Sequence, residues 1–487
     1  MPSQRTNPAT GADHGFPPDL LVALDRSSGR GLREQLEGEL RRVVRGGRLA
    51  IGTALPPSRI LAQELGVARS VVVDAYGQLA AEGYLEARQG SGTRVRATQP
   101  LDADDDGRRG HRPKPGPRLL GGLPDPASFP RTLWQRHYRA AIATLSTASL
   151  PYPDPRGAHV LRAALAGYLG RVRAVVATPR ELQICGGFTQ GLALVCRALR
   201  ARGGRRLAVE DPCFGYHREL VANAGLEPVP VAVDVHGIDI DDLARHDDLA
   251  GVLVAPAHSY PTGAVLGPQR RVGLVDWARA ADALIIEDDY DAEFRYDRAP
   301  IGALQGLRPD RVVYGGSVSK TLSPILRIGW LAGPEWLMQD LRREKLYDDL
   351  ANGTLDQIAL ASFIESGDLA RHLRRVRPIY RRRRDAALRA LARHLPDAAP
   401  VGVAAGLHLY VHLPAGCDEE ALVRAARREG VHVEGAARHW ADPAAAPPAL
   451  VLGYGAAGEA ALEHGIATVG SLYEATSART GARGAAG

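Results

Sequence analysis

At 487 residues the chain is longer than one ordinary hydrophobic core organises, so two or more domains are expected. Its 45% hydrophobic and 24% charged residues lie near globular averages, which excludes a wholly disordered or fibrous polymer. The formal net charge of +6 is small for this length and names no partner by itself, but it is unevenly placed: eleven arginines stand against seven acids between Arg30 and Arg96.

No apolar run approaches the roughly 18 residues of a membrane span. The first residues, with Asp13, His14 and three prolines by position 17, lack the apolar stretch of a signal peptide, so the cytoplasm is the expected compartment. The four cysteines, Cys185, Cys196, Cys213 and Cys417, form no C-x-x-C pair and stand beside no plausible histidine set. Neither a disulfide framework nor a metal site is expected. Lysine is the sharper signal, because the chain has three, Lys114, Lys320 and Lys345, and every other basic side chain apart from histidine is arginine. Arginine replaces lysine in ion pairs but keeps its proton, so it cannot condense with an aldehyde.

The first unit spans residues 18–96. Leu32, Leu36, Leu40, Val43 and Val44 recur at helical spacing until Gly46 and Gly47 stop the helix. After the turn at 54–57, Ser58 is placed to cap a second helix with Ile60, Leu61 and Leu65 on its apolar face, and Gly66 ends it. A third helix opens at Ala68-Arg69-Ser70, carries Val72, Val73, Tyr76 and Leu79, and closes at Glu82-Gly83. Two short helices joined by a tight glycine turn suit a helix-turn-helix, whose second helix meets base edges through its N-terminal residues. Residues 84–95 then read as a β-hairpin, a wing turning at Gln89-Gly90-Ser91-Gly92.

The stretch LPPSRILAQELGVARSVVVDAYGQLAAEGYLEARQGSGTRV resembles the GntR family of winged-helix regulators nearly from end to end. The resemblance implies operator DNA as a partner, with Arg59, Arg69 and Ser70 on bases or phosphates and Gly90 letting the wing tip approach the minor groove. From residue 97 to 118 periodicity gives way to Asp104-Asp105-Asp106 and to glycines and prolines, the composition of a tether.

Residues 119–473 read as an α/β domain, and residues 474–487 as a disordered tail. Short apolar strands at 206–210, 251–255, 283–287 and 311–314 alternate with helical stretches, the pattern of a buried parallel sheet with helical crossovers. Ligand residues are expected at the strands' C-terminal ends. Each strand there runs into a polar or Gly/Pro-bearing segment: Asp211-Pro212-Cys213-Phe214, then 256–263 with Tyr260 before Pro261-Thr262-Gly263, then Asp288-Asp289-Tyr290, then Gly315-Gly316-Ser317-Val318-Ser319-Lys320. One of three lysines therefore falls at the mouth of the sheet, whereas Lys114 and Lys345 read as surface residues.

The segments IIEDDYDAEF and SVSKTLSPILRIGW resemble the fold type I aminotransferases, in the form found in their MocR-type regulatory relatives. The resemblance implies that Lys320 forms a Schiff base with pyridoxal 5'-phosphate, that Asp288 pairs with the ring nitrogen, that Tyr290 donates to the phenolic oxygen and that Phe214 stacks on the ring. It also implies that Ser317, Ser319 and Arg327 hold the phosphate with backbone N–H groups of Phe188 and Thr189 after Gly187, that Tyr260 borders the cofactor, and that Tyr152 reaches the partner's phosphate in a homodimer. Two departures stand out. Val451 occupies the place of the arginine that clamps a substrate carboxylate, and Tyr260 that of an asparagine; Arg218 and Arg438 are either replacement clamps or surface residues. The domain then reads as a sensor of a small effector, an amine, an amino acid or the cofactor itself in control of vitamin B6 metabolism, with an active aminotransferase bearing a DNA-binding head as the alternative.

Overall fold

The computed structural model describes residues 22–88, 92–96, 116–147, 152–297 and 301–484. The wing tip with Gly90, the stretch 97–115 with Lys114, and the first residues of the N-terminal unit lie outside them. The chain divides into two compact units, 1–112 and 113–487.

In the first unit α1 (Leu32–Arg45), α2 (Ser58–Leu65) and α3 (Arg69–Ala81) precede an antiparallel hairpin of β1 (Leu85–Arg88) and β2 (Gly92–Val95). Leu36, Leu40, Val43, Leu61, Val72 and Leu79 are buried together, so the helical spacing found in the sequence is the spacing of the core. Gly66 ends α2 in the left-handed region, at φ 61°, which a side chain disfavours. Two readings differ. Pro57, not Ser58, precedes α2, and Ser58 makes no capping bond there; its hydroxyl instead accepts from Arg69 Nε at 3.3 Å. Val73 is 46% exposed, because a step of about 100° per residue carries it off the face that Val72 and Tyr76 share.

The second unit joins the chain earlier than composition suggests. Pro117 accepts from the His432 N–H, and Leu119 both donates to His432 and accepts from Gly453, so a stretch read partly as tether is tied down by backbone pairing. Its sheet holds β3 (Leu182–Cys185), β4 (Arg206–Asp211), β5 (Glu227–Asp234), β6 (Gly237–Ile238), β7 (Leu249–Val254), β8 (Leu284–Asp289), β9 (Val312–Ser317) and β10 (Gly329–Ala332), in the order β3-β10-β9-β8-β7-β4-β5-β6. β9, β8, β7, β4 and β5 run parallel, while β10 is antiparallel to both its neighbours. The four strands expected from the sequence are the central ones, and two run two or three residues beyond their expected ends. β8 continues through Asp289 and β9 through Ser317 because Asp288 pairs with Gly315 and Asp289 with Gly316. Those glycines leave room for rings: a Cβ on Gly315 would lie 2.4 Å from Phe188, and one on Gly316 2.8 Å from the Trp330 indole nitrogen.

A smaller antiparallel sheet, β11 (Ala399–Val401), β12 (His408–His412), β13 (Glu434–Gly435) and β14 (Ala449–Gly453), has the order β11-β12-β14-β13. It shares a core with the long helices Asp368–His394 and Glu459–Gly484. The last helix runs through Gly484, into the stretch expected as a disordered tail. No helix among the described residues is long and apolar enough to cross a membrane.

One buried ion pair ties the sheet to its helical cover. Arg173, at the end of helix His159–Arg173, donates from Nε to Asp289 Oδ2 at 2.7 Å, and the Tyr314 hydroxyl donates to the same oxygen at 2.6 Å. Removing one member of such a pair leaves the other charge buried alone. Arg173→Ala should therefore lower stability by about 3–5 kcal/mol in urea unfolding followed by near-ultraviolet circular dichroism.

Candidate functional site

A cavity of about 340 Å3 opens at the C-terminal ends of the central strands and gathers residues far apart in the sequence. Phe214 comes from the segment after β4, Tyr260 from that after β7, Asp288 and Tyr290 from the end of β8, and Ser317, Ser319 and Lys320 from β9 and the turn beyond it. Phe188 and Thr189 line it from the first turn of helix Phe188–Ala201, whose free N–H groups and dipole favour an anion. Arg327, in the left-handed region at φ 49°, closes the same end and donates to the Gly186 carbonyl. Gly187, at φ 92°, lets that guanidinium approach, since a Cβ there would lie 3.0 Å from Arg327 Nη2.

Lys320 and Asp288 set the electrostatics. Burial pushes the Lys320 ammonium below its ordinary range against the opposing pull of Asp291 and Asp288. Burial also pushes the Asp288 carboxyl well up, reinforced by Asp289 and Asp291, and its buried Oδ1 has no hydrogen-bond partner. A buried, unpaired carboxylate oxygen is costly unless something basic meets it. On the far wall, a Cβ on Gly122 would lie 3.1 Å from Lys320 Nζ, so the chain leaves the amine uncovered. One cavity thus holds an open amine, a carboxylate with an unpartnered oxygen, and an anion-favouring end made of a helix N-terminus and Arg327.

Every described residue expected at this site lines the cavity except two. Gly187 acts from just behind it, and Tyr152 is 87% exposed and outside it. Phe214 stands edge-on to Tyr260, 5.6 Å between ring centres. Several participants were not anticipated. His217, one helical turn after Phe214, places Nε2 4.0 Å from Asp288 Oδ2, and burial lowers its ring to about 4. The i, i+3 spacing from Phe214 was its signal. His258 Nδ1 lies 3.0 Å from the Tyr290 hydroxyl and 2.9 Å from Asp291 Oδ2, so Tyr290 is oriented from behind. Glu210, at the end of β4, accepts from the Ala255 N–H and the Ser259 hydroxyl, each at 3.2 Å.

Two readings of basic residues change. Lys345 is fully buried, with Nζ donating to Gln190 at 3.1 Å and to Asp349 Oδ2 at 2.6 Å, because Asp349 follows it by one helical turn. Arg218 is neither clamp nor surface residue, since its two terminal nitrogens donate to the carbonyls of His439 and Trp440 at 2.7 Å each. In the first unit Arg59, Arg69 and Ser70 are exposed at the N-terminal turns of α2 and α3.

Residues 131–439 match the family described as aminotransferase class I and II, and residues 32–95 match the bacterial regulatory proteins of the gntR family. The pyridoxine biosynthesis transcriptional regulator PdxR of Corynebacterium glutamicum is 33% identical over 93% of this chain and 98% of its own. The probable rhizopine catabolism regulatory protein MocR of Rhizobium meliloti is 33% identical over 93% of this chain and 96% of its own. Among solved structures, an archaeal alanine:glyoxylate aminotransferase superposes with a TM-score of 0.69 at 25% identity, covering 74% of this chain and 90% of that one.

Burial pushes the Glu210 carboxyl up to about 7 from 4.5. A carboxyl raised in the folded state contributes stability that is whole below its unfolded value and lost as pH climbs to its folded one. Glu210→Gln has no such loss. Its stability relative to the parent, both without cofactor, should rise by up to about 3 kcal/mol between about pH 5 and about pH 7.5 in urea unfolding.

Proposed function

Since this chain belongs to the MocR-type transcriptional regulators, which join a GntR-family winged helix-turn-helix to an aminotransferase-like domain, we propose that its large unit holds pyridoxal 5'-phosphate at Lys320 and senses a small effector there. The observation that carries the proposal is the placement of a partly buried amine, Lys320, and a buried carboxylate whose Oδ1 has no partner, Asp288, in one cavity.

The roles follow from chemistry and placement. Lys320 would hold the aldehyde. Asp288 would meet the ring nitrogen, whose protonated form supplies the charged donor that the carboxylate oxygen lacks, and His217 would steady its second oxygen. Tyr290, held by His258, would donate to the ring oxygen. Phe214 would cover one ring face. Ser317, Ser319, Arg327 and the first N–H groups of helix Phe188–Ala201 would take the phosphate. When bound, the cofactor supplies a carbonyl carbon that accepts a primary amine. Tyr152, exposed near this unit's start, would serve the site of a second copy in a homodimer in the cytoplasm.

Val451 supports sensing over turnover. It lies in β14 where a carboxylate clamp would stand, and an aliphatic side chain offers no bidentate donor. The name of the Corynebacterium glutamicum relative makes genes of pyridoxine biosynthesis the first targets to test.

Protein purified with the cofactor should show the visible absorption of a lysine-bound pyridoxal group. Lys320→Ala should lose it, and retention of that absorption by the variant would refute the assignment. In gel-shift titrations Arg69→Ala should lose about 1–3 kcal/mol of operator affinity if Arg69 reads a base; unchanged binding would remove it from the readout. Adding or withholding pyridoxal 5'-phosphate in the same titrations tests whether loading alone changes DNA binding.

A further inference from the structure

Beside Val451, which stands in the place of the carboxylate clamp, lies an acid. β13 and β14 pair Glu434 directly with Val451, so the two side chains leave the same face of the small sheet as neighbours. Glu434 Oε2 lies 3.4 Å from the Tyr260 hydroxyl, and Tyr260 lines the Lys320 cavity. The chain at Gly121-Gly122 closes the circuit. A Cβ on Gly121 would lie 2.6 Å from Tyr260 Oη and 3.0 Å from Val451 Cγ1, and one on the next residue would lie 3.1 Å from Lys320 Nζ. Tyr260, Lys320 and Gly121 thus line one cavity, with buried Val451 packed beside Gly121, and Gly121 also lines a larger hollow of about 1580 Å3 bordered in part by Glu434 and Arg438.

We infer that the effector's far end is held by Glu434 and Tyr260, and that it carries an ammonium or another hydrogen-bond donor where an aminotransferase substrate carries a carboxylate. This rests on the proposed function, since it concerns the same site and names the class of molecule read there. Tyr260 supplies an acceptor and Glu434 a charged one, while Val451 supplies neither. A carboxylate placed here would meet like charge, whereas an ammonium makes a charge-assisted bond.

Arg438 does not reverse that balance. Its side chain is 72% exposed, and its Nη1 stands 3.5 Å from Glu434 Oε1, already turned toward an acid. Arg218 is held by two carbonyls. His439 Nε2 stands 3.3 Å from Glu434 Oε1 on the carboxylate's buried side. Burial works to lift the Glu434 carboxyl, yet His439, Arg438 and Tyr260 together hold it below its ordinary value, so it is an anion at neutral pH.

The test is calorimetric titration of the full-length, cofactor-loaded protein with matched probes: putrescine against γ-aminobutyrate, and cadaverine against δ-aminovalerate. Each pair shares one amine and differs in the far group. The diamine of each pair should bind about tenfold more tightly. Glu434→Gln, which keeps the side chain's shape, should erase that preference, and Arg438→Ala should leave it intact or enlarge it. Equal or tighter binding of the amino acids, a preference that survives Glu434→Gln, or no binding by either diamine would overturn the inference. Arg438→Ala abolishing amino-acid binding would instead identify Arg438 as a carboxylate clamp. The visible absorption, recorded before any probe is added, separates the two levels: its absence defeats the cofactor reading and this inference together, whereas its presence without a diamine preference defeats this inference alone.

Discussion

The large unit is organised around the cost of burying acids at the end of one strand. β8 ends Glu287-Asp288-Asp289, and Asp291 follows. Glu287 accepts from the backbone N–H groups of Leu304 and Gln305 at 3.0 and 3.1 Å, Asp289 is met by Arg173 and Tyr314, and Asp291 by His258. Strand alternation sends Glu287 and Asp289 toward one face and Asp288 toward the other. On its face Asp288 has His217 at 4.0 Å and the Lys320 charge across the cavity, and its Oδ1 has no hydrogen-bond partner among the described residues. Compensation on one side of the strand lets the fold keep an uncompensated carboxylate on the other, and that is the property a ligand bearing a basic nitrogen requires.

The same alternation explains how much of the site was legible in the sequence. Lys320 stood out because lysine is scarce, and the segments after the central strands stood out because apolar runs ended abruptly in polar and glycine-rich residues. These are local signals, and they assembled as expected. What stayed hidden depends on pairing between distant segments. Val451 could be read as the loss of an arginine, but only the register of β13 on β14 places Glu434 beside it. Gly121 and Gly122 looked like ordinary chain until backbone bonds to His432 and Gly453 laid their segment along the small sheet. Lys345 failed for a related reason: its partner Gln190 lies on another helix, and helical periodicity says nothing of what a neighbouring helix presents.

In the first unit local pattern went further, because its core is built almost wholly from helix faces of regular period. Its misreadings, Ser58 and Val73, are each a matter of one residue at an end or edge of a face. The larger unit mixes parallel strands with a second sheet contributed from 399–453, so most of its packing joins residues widely separated in the chain.

A regulator needs its ligand to bind one DNA-binding state better than another, and the shift it produces cannot exceed that difference in affinity. The cavity divides this requirement between two ends. The end at Lys320, Asp288 and the helix N-terminus would hold the cofactor proposed above, and loading alone shifts DNA binding only if the two states differ in affinity for it. Discrimination among effectors would fall to Tyr260, which lines the cavity, and to Glu434, 3.4 Å from its hydroxyl, and these stand on separate segments, the loop after β7 and β13. A small molecule held by both segments would favour whichever DNA-binding state best positions them to bind it, and the switching free energy would be the difference in its affinity for the two states.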